Sequence, residues 1–93
     1  MKGAEMHKVQ FYLGEQRHIR LQVHSKENLP FTIRNATWEL QYLGKVEASG
    51  DCSVQDHILD VKIAPLQKTL YRLLIAYEVA DERLMECVEV LVM

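Results

Sequence analysis

From Tyr71 to Val79 every second residue is large and apolar (Tyr71, Leu73, Ile75, Tyr77, Val79), and nothing else in the chain constrains its fold as tightly. A period of two places side chains on one face of a β-strand. A competing pattern runs through the same third of the chain. Leu66, Leu70, Leu73, Tyr77, Leu84, Val88 and Leu91 recur at helical spacings, and the local Leu, Ala, Glu, Arg and Met content suits a helix. The alternative is therefore an α+β fold with a C-terminal helix after Pro65. The β-branched close, Val88-Glu89-Val90-Leu91-Val92, and the lack of a helix cap favour a hairpin. Ala80-Asp81-Glu82-Arg83 would be its turn, and Leu84, Val88, Val90 and Val92 would continue on the second arm.

The same alternation governs the earlier segments. Val9, Phe11 and Leu13 interleave with Lys8, Gln10 and Tyr12, and Ile19, Leu21 and Val23 follow Gly14-Glu15-Gln16, a pattern that reads as a β-hairpin. His18, Arg20, Gln22 and His24 then fall on its wet face. Ser25 to Pro30 concentrates turn formers, so a loop should cross there to the next layer. Ala36, Trp38, Leu40 and Tyr42 share a strand face, and Leu43-Gly44 turns the chain. Val46 and Ala48 form a short strand closed by Ser49-Gly50-Asp51. His57, Leu59, Val61 and Ile63 alternate up to Ala64-Pro65. About seven antiparallel strands result, in an all-β chain.

At 93 residues the chain is expected to be one domain, 1–93, with residues 1–7 as a disordered lead-in. Its 48% hydrophobic and 26% charged residues are those of a folded globular protein. The formal charge of −2 is scattered, which argues against nucleic acid as a partner. The start of the chain is charged where a secretory leader would be apolar, and no apolar run reaches the roughly 18 residues of a membrane helix. The expectation is a protein that is cytoplasmic at synthesis, has no membrane partner, and keeps Cys52 and Cys87 as small buried thiols.

Chemistry is sparse. His18 and His24 share a strand face, but no close Cys or His pair of zinc-site spacing occurs, so no metal is expected. Glu47, Asp51, Asp56 and Asp60 lie within a short stretch; their places at turns and on a polar face make them solvated carboxylates rather than an acid and base pair. Cys52 lacks an elbow motif and a neighbouring base. The four glycines are isolated, which excludes a phosphate cradle. Aromatic residues that could stack bases fall mostly on core faces and lack a basic groove, which disfavours an oligonucleotide-binding barrel. Neither catalysis nor a cofactor is expected.

Trp38 on the third strand and Tyr71 opening the sixth give the chain a pattern that resembles the immunoglobulin-like β-sandwich. The resemblance implies a core role for Trp38 and a corner role for Tyr71. Leu73 stands two residues after Tyr71, where antibody domains carry a cysteine, so the likeness extends to architecture alone. A narrower likeness rests on Asn35-Ala36-Thr37-Trp38, on Val46-Glu47-Ala48-Ser49-Gly50-Asp51-Cys52, on Ile63-Ala64-Pro65 and on the Tyr-rich hairpin running to the last residue. It resembles the small immunoglobulin-like proteins of bacteriophage and prophage structural modules, which implies virion or tail assembly. A general protein-binding or glycan-binding sandwich is the alternative. The last strand is apolar on both faces, so Val88, Val90, Leu91 and Val92 are the expected interface, through which an uncovered edge would bind a protein partner or form a homo-oligomer.

Overall fold

The computed structural model describes residues 7–24 and 30–93, and among these it contains strands and no helix. Eight strands follow one another: β1 (His7–Phe11), β2 (Arg17–Gln22), β3 (Ile33–Tyr42), β4 (Lys45–Asp51), β5 (Ser53–Gln55), β6 (Ile58–Ile63), β7 (Leu70–Val79) and β8 (Glu82–Val92). They form a five-stranded sheet in the order β1-β8-β7-β3-β4 and a three-stranded sheet in the order β2-β6-β5. With β4 as the extra strand of variable-type domains, β3-β7-β8 and β2-β6-β5 are the two sheets of an immunoglobulin-like sandwich.

The alternation in the last third is a β7–β8 hairpin, with ten paired positions from Leu70↔Leu91 to Val79↔Glu82. The helical alternative after Pro65 is excluded. Tyr71, Leu73, Ile75 and Tyr77 all point inward and are buried, together with Val88, Val90 and Val92 from β8. Phe11, Ile19, Leu40, Leu59, Val61 and Ile63 complete a core drawn from both sheets. Trp38 is half-buried at the margin of this core, not at its centre. Its indole lies over Gly50, where an added Cβ would come within 3.2 Å of the ring nitrogen. That contact explains a glycine in the middle of the β3–β4 pairing.

Four expectations change. The first two strands are not a hairpin: β1 pairs in parallel with β8, while β2 pairs antiparallel with β6 in the other sheet. Alternation identifies a strand and its faces, but says nothing of its neighbour. The fold is the expected all-β sandwich, with eight strands and one parallel pairing. Ser49-Gly50-Asp51 does not close β4 but belongs to it, and the chain changes sheets at Cys52, whose N–H donates to the Ala36 carbonyl at 2.9 Å. The short, fully exposed β5 follows at once. Finally, β8 is no edge, because β1 and β7 flank it on both sides. His7 opens β1 rather than lying in a disordered lead-in, and the rest of that expectation falls on residues 1–6, outside the described residues. The loop expected at Ser25–Pro30 likewise lies outside them except for Pro30, although the chain does pass from one sheet to the other between β2 and β3.

Candidate docking pole

The strand registers place three connections at one end of the sandwich: residues 12–16 between β1 and β2, the Leu43-Gly44 turn, and residues 64–69 between β6 and β7. Met93 ends the chain there too. At the opposite end lie the β5–β6 turn, the β7–β8 turn and the start of β3.

The two ends are built from different side chains. Among the described residues, eight of the eleven exposed large apolar side chains belong to the first end. Tyr12 and Leu13 come from the first connection, and Leu66 from the third. Leu70 and Leu91, paired across β7 and β8, extend the patch onto the outer sheet face, and Met93 borders it. Leu43 occupies the hairpin tip at 85% exposure. It holds φ at +49° and Gly44 at +74°. Such turns normally take Asn-Gly, because a branched side chain in the left-handed region costs about 1–2 kcal/mol. Val46, read from alternation as a companion of Ala48, is exposed as well. A register shift between Leu40 and Gln41 sets Val46 opposite Gln41 on the outer face.

These loops are held in place by hydrogen bonds. The Tyr71 side chain is buried, and its hydroxyl accepts from the Gln67 N–H at 2.9 Å and donates to Glu47 Oε1 at 2.6 Å. The first of these bonds is the geometry of a tyrosine corner. The other Glu47 oxygen accepts from the Leu66 N–H at 3.0 Å. Burial, and then the bond to Glu47, push the Tyr71 hydroxyl up to about 12. Pro65 is buried beneath while Leu66 faces outward. On the neighbouring connection the Leu13 N–H donates to the Met93 carbonyl and the Met93 N–H to the Phe11 carbonyl, both at 3.0 Å. Glu15 caps the Tyr12 N–H at 2.7 Å. The exposed apolar side chains therefore sit on a rigid frame.

At the far end charge is neutralised locally. Glu78 receives Arg34 and Arg83, each at 3.4 Å, and the Asn35 amide at 3.0 Å. The Asn35 bond first, then the two arginines, hold its carboxyl below the usual carboxylate range. Tyr77, nearer this end, is buried and donates to Glu86 at 3.0 Å.

The remaining candidates do not converge. Glu47 serves Tyr71, while Asp56 is in a turn at φ +56° and Asp51 ends β4. Asp60, on the outer face of the small sheet, is bound by His18 at 2.7 Å and Arg20 at 2.9 Å. His57 stacks on Phe31 at 3.8 Å. Burial first, then the charges of Asp51 and Asp60, push the Cys52 thiol up to about 11, so it is a thiol and no nucleophile at neutral pH. Among the described residues no three His, Cys, Asp or Glu side chains gather as a metal site, and no helix is long and apolar enough to cross a membrane. Of the expected interface on β8, Val88, Val90 and Val92 are core residues, and only Leu91 reaches the surface, at the apolar pole. Leu43, Leu66, Leu70 and Met93 were not legible as surface-site residues, apart from the sign that an apolar side chain occupies a two-residue turn. Comparison with known proteins matches no family model and finds no curated relative.

Proposed function

We propose that the chain is a non-enzymatic assembly module that docks on a protein partner through its apolar pole. The observation that carries this reading is the collection of eight exposed large apolar side chains at one end of a sandwich whose other described surfaces hold only three. Contiguous exposed apolar surface on a soluble fold marks an interaction site. Burying Leu43, Leu66 and Leu70 in a partner would contribute about 1.5–3 kcal/mol each before the cost of association. The bonded loops lower that cost, because little ordering is left to do.

The likeness to small immunoglobulin-like proteins of phage structural modules makes virion or tail assembly the setting in which such docking would serve. The partner in this reading is another protein of the assembly. A self-association route through β8 is not retained, since both edges of that strand are occupied. The test is co-expression with the products of neighbouring genes. The parent should co-purify with a structural protein, and the Leu66→Glu/Leu70→Glu variant should lose it while keeping its melting curve. A variant that co-purifies as the parent does would overturn the assignment to this pole.

A further inference from the structure

Three cations around the apolar pole make no ion pair among the described residues. Lys45 follows the Leu43-Gly44 turn, Lys68 follows Leu66 in the loop pinned by Tyr71, and Arg72 projects from the outer face beside Leu70. All three are exposed, and among the described residues none lies within 4.0 Å of a carboxylate oxygen. Glu15 and Glu47 are already engaged with the Tyr12 and Leu66 backbone and with Tyr71, while Glu89 stands directly opposite Arg72 across β7 and β8, which leaves Lys45 and Lys68 as the cations without an acidic cross-strand neighbour. The opposite pole differs: its Arg34 and Arg83 share Glu78.

An apolar centre flanked by Lys45 and Lys68, neither within 4.0 Å of a carboxylate oxygen among the described residues, in a chain whose net charge is −2, defines the chemistry of what would cover it. We infer that the occupant of the pole is an acidic amphipathic segment of the partner protein, whose apolar side chains cover Leu43, Leu66 and Leu70 while its carboxylates meet Lys45 and Lys68. This inference rests on the docking reading above and adds the partner's charge to it. Opposite potentials across an interface speed encounter and suppress like-charged competitors, and exposed pairs of this kind weaken as salt screens them.

The test uses two synthetic peptides with the same leucine stripe, one carrying glutamates on its remaining positions and the other lysines. Binding to the full chain is followed by fluorescence anisotropy and by amide chemical shifts. The glutamate peptide should bind, shift the amides of residues 43–46, 66–72 and 91–93, and weaken with added salt. The Lys45→Glu/Lys68→Glu variant should lose at least about tenfold in affinity, as expected for two rim charges reversed, and should reverse the preference toward the lysine peptide. Equal binding of both peptides, still abolished by Leu66→Glu/Leu70→Glu, would overturn the charge inference and leave the docking reading standing. Binding that Leu66→Glu/Leu70→Glu does not weaken would sink the docking reading itself. Binding to vesicles containing anionic lipid but to neither peptide would overturn the inference in favour of a membrane surface.

Discussion

The two poles of this sandwich meet water in opposite ways. Both lie at ends of the same β3, β7 and β8 strands, and each is anchored by a buried tyrosine of β7 that hydrogen-bonds a glutamate. At one pole Arg34, Asn35 and Arg83 all bond to the half-buried Glu78. At the other the exposed groups are leucines, a tyrosine, a valine and a methionine, beside two lysines that make no ion pair among the described residues. The difference shows that stability alone does not dictate what a loop exposes. A charged turn and an apolar turn close opposite ends of one core, and the proposed docking accounts for the apolar one.

The largest effect on stability should come from the anchors. Tyr71→Phe strips partners from Glu47 and from the Gln67 N–H, and should cost about 2 kcal/mol, whereas Tyr77→Phe loses a single bond and should cost about 1 kcal/mol. Denaturant unfolding of the two variants checks the ranking, and the reverse order would deny the apolar pole its stiffer frame. Alkali sharpens the same contrast. Because the Tyr71 hydroxyl is raised to about 12 in the folded chain from an ordinary 10, its contribution is complete below pH 10 and is lost as the pH rises from about 10 to about 12. Burial, with the Glu86 bond adding to it, raises Tyr77 as well. Melting curves should fall across that window, and Tyr71→Phe should flatten the fall.

A smaller effect, of opposite sign, is expected at the hairpin tip. Leu43→Asn should stabilise the fold by roughly 0.5–1 kcal/mol, because asparagine tolerates the left-handed backbone, while weakening partner binding. A variant that is both more stable and fully competent to bind would remove Leu43 from the site. The smallest effect belongs to the charged pole. Glu78→Gln breaks ion pairs at the surface and should leave the neutral-pH melting curve nearly unchanged.

Much of the fold was legible because both arms of β7–β8 alternate over long runs, and because a strand buried on one face repeats every second residue. Two features were hidden for physical reasons. The partners of β1 and β2 depend on which sheet each edge meets, and alternation is blind to that. The outward turn of Val46 depends on a one-residue register shift between Leu40 and Gln41. The apolar pole was less legible still. Leu13, Leu43 and Leu66 are far apart in the chain, and each taken singly is an ordinary leucine. Only the topology brings their loops to one end. The apolar character of β8 was visible, but it reflects double cover: Val88, Val90 and Val92 face the core while β1 and β7 take both edges.

The most direct test of the docking account is site-specific photocrosslinking, with a benzophenone side chain placed at Leu43 on one pole or at Asp81 on the other, in cells producing the chain with its neighbours. The account requires a defined adduct with a second protein from position 43 and none from position 81. An adduct from position 81 alone would contradict it.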